Sequence, residues 1–283
     1  MRETPDPGEL EAVALAVRRN IVRMIHRADG GHIGGSLSSV EILVCLYFAA
    51  MRVDPECPEW EDRDRFILSK GHCAAALYAV LAARGYFPES VLSAEFACLR
   101  GRLQEHPDRL KVPGVDMSSG SLGQGLSVAA GLALGARLLG KRYRVFVLLG
   151  DGECQEGQVW EAAMAGSHYR LDRLLAVVDY NKVQVNDTVE RSMALEPLVD
   201  KWRSFGWRVY EAPGHDVAEL SATLQAAMRE QRGPAAVIAH TVKGKGISFM
   251  EGQAQWHSNR LSEEQYAQAM AELSGPGAMR GAP

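Results

Sequence analysis

Side chains suited to metal chemistry follow two apolar segments of this sequence. Gly150-Asp151-Gly152 follows the run VFVLL, and Asn181 follows LLAVVDY. Thirty residues separate Asp151 from Asn181, which is about the length of a strand–helix–strand unit. Because parallel strands joined by a right-handed crossover end on the same side of a sheet, the carboxylate and the carboxamide can meet there. Oxygen ligands of this kind, with positions left for water and phosphate oxygens, suit Mg²⁺ rather than Zn²⁺.

The same segment has features that favour a phosphate group. A helix predicted to begin near Gly157 would direct its N-terminus at this edge of the sheet, and glycines flanking Asp151 let an anion approach the backbone. Taken singly, Asp151 is better interpreted as a cap of the helix, and Asn181 as a residue that turns the chain. Neither GxxxxGK[ST] nor a GxGxxG after a strand occurs, so a P-loop and a dinucleotide site are poorly supported. Asp151 and Asn181 together predict a metal–phosphate site, but they do not identify the phosphate compound that binds there.

The elements that must position these residues alternate between strands and helices. The pattern predicts strands at 144–149, 174–179, 207–211 and 235–240, with helices between them at 157–169, 196–205 and 216–231. The strands are continuous apolar runs, as is typical of parallel strands that are buried on both faces. The sequence therefore predicts an α/β fold with three layers and a central, mostly parallel sheet.

The first half of the chain completes this arrangement. The sequence pattern there predicts helices at about 8–28, 38–51, 73–84 and 124–139, a short strand at 65–69 and a long loop at 100–119. Long loops in compact domains are often functional. We expect one domain over residues 1–283, with flexible ends at about 1–7 and 274–283, where proline and glycine are frequent.

The composition restricts the possible classes of function. Of the 283 residues, 47% are apolar and 23% are charged, which is enough for a substantial core. A net charge of −4 argues against general binding to nucleic acid or to anionic membranes, and no apolar stretch is long enough to predict a membrane span. The five cysteines form no CxxC pair, and the N-terminus lacks a signal-peptide pattern, so we expect reduced thiols in the cytoplasm.

Several longer motifs occur together in a fixed order. They are GHIGGSLSS (31–39), RFILSKGHCAAALY (65–78), EHPD (105–108), GVDMSSGSLGQGLSVAAG (114–131), GDGECQEGQVWEAA (150–163), VVDYNKVQ (177–184) and TVKGKGISFMEGQAQWH (241–257). Over about residues 8–270 the chain resembles the N-terminal, diphosphate-binding part of transketolase. The resemblance implies a thiamine-diphosphate-binding fold. It also implies transfer of a two-carbon ketol unit from a ketose phosphate to an aldose phosphate.

The resemblance implies a metal and a cofactor at specific residues. Asp151 and Asn181 would be side-chain ligands of Mg²⁺ (or Ca²⁺), and the backbone carbonyl of Val183 would be a third ligand. Gly152 would contact the diphosphate of thiamine diphosphate through its amide. Backbone contacts to the aminopyrimidine half are implied for Gly120, Ser121 and Leu122.

Four of the eight histidines lie in family motifs: His32, His72, His106 and His257. Ketol transfer moves protons on and off substrate hydroxyls near neutral pH, which histidine does readily. The resemblance implies that His32 and His106 hold the terminal hydroxyl and carbonyl oxygen of the donor. His72 and His257 are expected nearer the diphosphate and the oxygen of the intermediate. We interpret the other histidines as structural.

Two further residues are candidates by resemblance. Lys243, in the segment KGKG with Lys245, offers positive charge to a phosphate, although a solvated loop is an equally good interpretation of both lysines. Glu156 matches an acidic position that, in the family, belongs to a carboxylate network between neighbouring active sites. The alternative interpretation is that Glu156 is a surface residue or caps a helix.

The resemblance also implies a second polypeptide. In transketolase, the glutamate that protonates the aminopyrimidine ring lies in a pyrimidine domain, which residues 1–283 do not match. We therefore expect this chain to be the N-terminal subunit of a split enzyme, active with a C-terminal subunit that supplies this glutamate. An α₂β₂ heterotetramer is the family expectation, and the apolar helices 38–51 and 124–139 are candidates for either interface or core.

Other functions stay open at this point. One is a thiamine-dependent carboligase that uses a keto acid or another donor in a specialised biosynthetic pathway. Another is a non-catalytic subunit that binds a partner and keeps only the fold. A nicotinamide-dependent enzyme is the least supported. The 1-deoxyxylulose-5-phosphate synthases and 2-oxo acid dehydrogenase α-subunits share the cofactor signature, but GSLGQG and the set of histidines favour transketolase.

Overall fold

The computed structural model describes residues 5–230 and 232–274. Its strands are β1 (Arg65–Leu68), β2 (Val145–Gly150), β3 (Leu174–Tyr180), β4 (Val183–Gln184), β5 (Asp187–Thr188), β6 (Arg208–Pro213) and β7 (Ala235–His240). Its α-helices are α1 (Pro7–Arg27), α2 (Ile33–Ser38), α3 (Val40–Val44), α4 (Ala74–Arg84), α5 (Ser90–Glu95), α6 (Gln124–Leu138), α7 (Gly157–His168), α8 (Val189–Met193), α9 (Leu198–Ser204), α10 (Val217–Arg229) and α11 (Glu263–Glu272). A π-helical segment, Cys45–Ala50, extends α3, and 3₁₀ turns lie at Gly71–Cys73, Gly152–Gln155 and Ala254–Trp256.

A parallel sheet lies at the centre of the fold, in the strand order β1–β2–β3–β7–β6. Every neighbouring pair in this order is parallel. The register places Gly150 beside Asp179, and Tyr180 beside His240. The segments that follow these strands therefore leave the sheet at one edge. The predicted α/β fold, with three layers and a central parallel sheet, is confirmed.

Alternate strand residues pack into apolar clusters on opposite faces of the sheet. On β3, Leu175 and Val177 belong to the cluster that includes α1, α3, α4 and α10, whereas Ala176 and Val178 belong to the cluster with α6, α7 and α9. Burial of a valine or leucine side chain stabilises a fold by about 1.5–3 kcal/mol. This burial on both sides explains why the strands are continuous apolar runs.

Helix boundaries agree with the prediction where apolar residues recur at regular helical spacing. They differ from the prediction in a glycine-rich segment. The predicted helix at 38–51 is wrong at its start, because helical structure begins with α2 at Ile33 and is interrupted at Ser39. A Cβ at Gly34 would lie 2.6 Å from the carbonyl oxygen of Trp256, so a tertiary contact makes glycine necessary there. The hairpin β4–β5 and the helices α5, α8 and α11 are absent from the prediction. Residues 100–119 contain neither helix nor strand, as predicted.

The two helices considered as interface candidates differ in exposure. The segment 38–51 lies mostly in the core, where Val40, Ile42 and Leu46 are fully buried. Helix α6 buries one side and exposes the other, on which Leu138 is 86% exposed.

Among the helices of the described ranges, none is both long enough and apolar enough to traverse a bilayer. Of the flexible ends predicted at 1–7 and 274–283, residues 1–4 and 275–283 lie outside the described residues, whereas Pro7 already begins α1. The single-domain organisation stays a prediction.

Candidate functional site

Ends of neighbouring strands supply a cluster of polar residues at the carboxyl edge of the sheet. These residues are Lys70 after β1, Asp151 after β2, Asp179 and Asn181 at the end of β3, and Thr241 after β7. In an open parallel sheet this edge is where ligands bind. The structure therefore brings together the two strand ends that the sequence singled out.

Asp151 is the buried carboxylate of the GDG segment. Its side chain accepts hydrogen bonds from the amides of Gly152, at 2.7 Å, and Lys182. Burial, and then the charge of Asp179, raise the pKa of Asp151 to about 6. A cation beside this carboxylate would favour its ionised form, and each oxygen keeps a lone pair for a metal ion.

Asn181 and Val183 complete the predicted ligand set. The side-chain oxygen of Asn181 accepts a hydrogen bond from the Val183 amide at 3.1 Å, and Lys182 between them has a φ of 64°. The carbonyl oxygen of Val183 accepts a hydrogen bond from Lys243 Nζ at 3.1 Å, so a metal ion would share this oxygen with the ammonium or displace it. A carboxylate, an amide oxygen and a backbone carbonyl are the oxygen ligands that suit Mg²⁺ or Ca²⁺. The residues present fit such an ion.

The four predicted histidines converge at the same edge, although they come from separate segments. Ring centroids lie 5.4 Å apart for His32 and His72, 5.4 Å for His32 and His257, and 5.3 Å for His72 and His257. His106 is an exposed residue whose ring centroid is 6.0 Å from that of His32. The imidazoles therefore form one group, with His106 at its outer side.

Electrostatics keep the inner imidazoles neutral. Burial lowers the pKa of His32, and burial together with Lys70 lowers the pKa of His72. Burial, and then Lys243, lower the pKa of His257 to about 4. Near pH 7 these rings are uncharged, so each has one nitrogen that can accept a proton and one that can donate.

The GSLGQG loop lies directly against the segment that carries His72. A Cβ at Gly71 would lie 2.7 Å from Ser119 Oγ and 2.8 Å from the amide nitrogen of Gly120, so only glycine permits this approach. Gly120 and Ser121 are exposed, and Leu122 is half-buried. The backbone implied to contact the cofactor is thus accessible beside the imidazole group.

Comparison with known proteins identifies the family. Residues 10–275 match the family model described as the thiamine diphosphate binding domain of transketolase. The chain belongs to the transketolase family. The predicted resemblance to the N-terminal part of transketolase is confirmed. The prediction that the chain is a subunit of a transferase-type enzyme is also confirmed.

Relatives of this transketolase-family chain include separate subunits. It is 43% identical over 267 residues to an apulose-4-phosphate transketolase subunit of Phocaeicola vulgatus, covering 94% of each chain. It is also 43% identical to a 6-deoxy-6-sulfo-D-fructose transketolase subunit of Clostridium sp. (strain MSTE9), covering 95% of this chain and 98% of the relative. The solved transketolase of Leishmania mexicana superposes with a TM-score of 0.89 at 28% identity, over 96% of this chain and 42% of that one. The chain thus spans about two fifths of the solved transketolases it matches.

Sequence reasoning missed a buried ion pair in this transketolase-family site. Lys70 donates to Asp179, which is fully buried and also accepts hydrogen bonds from Ser38 Oγ, at 2.6 Å, and Thr241 Oγ1. Burial alone would raise the pKa of Asp179, but the ammonium of Lys70 holds it below its usual value. The available signal was a lysine directly after one apolar strand and an aspartate at the end of another. Both charges need a partner when buried.

A second buried carboxylate, Glu153, was also missed. It accepts hydrogen bonds from Ser69 Oγ and from the amides of Gly123, at 2.8 Å, and Gly150, at 3.0 Å. Glu153 thereby joins the ends of β1 and β2 to the GSLGQG loop. Glu156, the residue that the sequence singled out, is exposed instead, and a Cβ at Gly123 would lie 2.7 Å from its Cβ.

The two lysines of the KGKG segment have different environments. Lys243 is 2% exposed, and its Nζ lies 3.0 Å from Nδ1 of His257. Burial, and then Lys70, lower the pKa of Lys243 to about 8. The solvated-loop interpretation is therefore wrong for Lys243. Lys245 points elsewhere and pairs with Glu251 at 3.4 Å.

Proposed function

We propose that this chain is the N-terminal subunit of a two-subunit transketolase. With thiamine diphosphate and Mg²⁺ (or Ca²⁺), it transfers a two-carbon ketol unit from a ketose phosphate to an aldose phosphate. The observation that carries this proposal is the convergence of His32, His72, His106 and His257 beside the strand ends that bear Asp151 and Asn181. The relatives named as subunits of sugar transketolases support it.

In this proposal Asp151, Asn181 and the Val183 carbonyl hold the divalent ion. The ammonium of Lys243 faces the diphosphate, and the exposed backbone of the GSLGQG loop contacts the aminopyrimidine. The amide of Gly152 donates to Asp151 in this structure, so it contacts the diphosphate only after it leaves that carboxylate. When bound, the cofactor supplies the nucleophilic carbon and the electron sink for breaking a carbon–carbon bond. The positive charges of the metal and Lys243 offset the negative charge of the diphosphate.

The histidines handle protons and orient the sugar. His106 and His32 hold the terminal hydroxyl and the carbonyl oxygen of the donor. His72 and His257 lie on the inner side of the group, where a neutral imidazole takes a proton from a hydroxyl or returns it. Because burial keeps the inner rings neutral, each has an unprotonated nitrogen that can accept a hydrogen bond from a substrate hydroxyl at neutral pH.

A partner chain completes the site by supplying the activating glutamate of a pyrimidine domain, in an expected α₂β₂ assembly. Glu156 is exposed, which suits its proposed place in a carboxylate network between neighbouring active sites.

All five cysteines are free thiols, which supports a reducing compartment such as the cytoplasm.

The proposal is tested by reconstitution. The purified chain is assayed with thiamine diphosphate, Mg²⁺ and a panel of ketose and keto-acid donors, alone and with its candidate partner. We expect ketol transfer from ketoses only in the mixture. Turnover by the chain alone would refute the split site. Turnover of keto acids only would identify a carboligase, and absence of Mg²⁺-dependent cofactor binding by the assembled complex would identify a scaffold.

The His106→Ala variant separates substrate handling from cofactor binding. Because His106 lies at the exposed side of the imidazole group, we expect kcat of the assembled enzyme to fall by about a hundredfold or more. The Kd for thiamine diphosphate, measured by calorimetry, should stay unchanged. His168→Ala, an exposed histidine at the end of α7, is the control. A weakened cofactor affinity in His106→Ala would contradict the assigned role.

A further inference from the structure

A buried charge network lies beneath the loop that carries Lys243. Glu41 on α3 accepts a hydrogen bond from Arg18 on α1 at 2.7 Å, and its Oε2 lies 2.9 Å from Nδ1 of His215. Arg18 and Glu41 are each 6% exposed. Burial alone would raise the pKa of Glu41, but Arg18 and His215 lower it to about 2. Glu41 is therefore an ionised acceptor.

The contacts of His215 define a single tautomer. Its Nε2 lies 2.8 Å from the amide nitrogen of Val242. Because an amide N–H only donates, Nε2 must be the unprotonated nitrogen, and the ring proton lies on Nδ1. His215 thus donates to Glu41 on one side and accepts from Val242 on the other.

The same network holds the other end of the loop. Arg18 Nε donates to the carbonyl oxygen of Lys245 at 3.1 Å, and the amide of Gly244 donates to the carbonyl oxygen of Gly34 at 3.0 Å. Lys243 lies between the held amides of Val242 and Gly244, and its Nζ reaches the Val183 carbonyl. The position of the ammonium therefore depends on a backbone that is held from beneath.

We propose that His215 is a positioning residue that, through Val242, holds the 242–245 loop so that Lys243 reaches the cofactor. The neutral Nδ1–H tautomer is required, because only that form accepts the Val242 hydrogen bond while donating to Glu41. His215 itself touches neither metal ligand nor imidazole group in the contacts described above. Its effect on cofactor binding rests on the proposed function, whereas its effect on the loop does not.

A pair of conservative variants tests each nitrogen separately. His215→Gln places an amide oxygen near the position of Nε2 and can still accept from Val242. His215→Asn reaches only the position of Nδ1, so it can donate to Glu41 but leaves the Val242 amide without its acceptor. We expect hydrogen exchange of the Val242 amide to be about tenfold faster in His215→Asn. The Kd for Mg²⁺–thiamine diphosphate should rise by about tenfold there and by less than about threefold in His215→Gln.

His168→Asn, an exposed histidine on α7, is the matched control and should change neither quantity. Unchanged exchange at Val242 in His215→Asn, or equal weakening of cofactor binding in both His215 variants, would overturn the proposal. Nitrogen-15 NMR of histidine in the wild-type protein gives an independent test, since an Nε2–H tautomer of His215 would also overturn it. If exchange responds as expected but the assembled wild-type enzyme binds no cofactor, the loop assignment stands and the proposed function fails.

Discussion

The Asp151→Asn variant is expected to lose Mg²⁺-dependent binding of thiamine diphosphate without losing stability in the metal-free state. The substitution keeps the shape of the side chain and removes its negative charge, which the divalent ion needs. Isothermal titration calorimetry of the assembled enzyme with cofactor, with and without Mg²⁺, measures the loss. Denaturant unfolding of the metal-free chain measures the stability.

The pKa of Asp151 gives this prediction a pH dependence. Folding raises this pKa from 3.8 to about 6, so the folded state holds the proton more tightly than the unfolded state. Stability is therefore lost as pH rises from about 4 to about 6, by about 3 kcal/mol for a shift of this size. The asparagine variant lacks this loss. It forfeits one backbone hydrogen bond, worth about 1 kcal/mol, so at pH 7 we expect it to match or exceed the metal-free wild type.

Asp200→Asn is the control for the metal site, because Asp200 is exposed on α9. Its cofactor binding should equal that of the wild type. Mg²⁺-dependent binding that survives in Asp151→Asn would remove Asp151 from the ligand set, and with it the metal site proposed here.

The Lys70→Met variant is expected to destabilise the metal-free protein by about 3–5 kcal/mol. Methionine has a similar volume, but it leaves Asp179 fully buried with a negative charge and without the ammonium that compensates it. Asp151 lies near the same carboxylate, so a second negative charge adds to the cost. Denaturant unfolding at pH 7 measures the effect.

The double variant Lys70→Met, Asp179→Asn is the critical comparison. Removing both charges should recover part of the stability lost by Lys70→Met, because an unpaired buried charge costs more than a neutral pair. Lys141→Met changes an exposed ion pair with Glu61 and should have little effect. A single Lys70 variant as stable as the wild type, or a double variant less stable than it, would show that this pair does not set the stability of the site.

Local patterns were enough to predict the fold class and to place the segments that carry Asp151 and Asn181 at one edge of the sheet. Continuous apolar runs identified the strands of a parallel sheet, and parallel topology places the ends of such strands at one edge. Asp151 and Asn181 were therefore predicted from their places after β2 and β3. The four histidines were singled out by their motifs and by family resemblance, since spacing along the chain does not show that their rings meet.

Tertiary structure alone decided which charges are buried together. Lys70 and Asp179 are 109 residues apart in the sequence, and Glu41 and His215 are 174 apart, so no local period connects either pair. The tertiary structure also distinguished the buried Glu153 from the exposed Glu156. A sequence pattern for the start of a helix does not show which of these two glutamates is buried. The physical reason is that periodicity reports which side of an element faces the core. Burial, pKa and hydrogen bonding depend on which distant segments meet there.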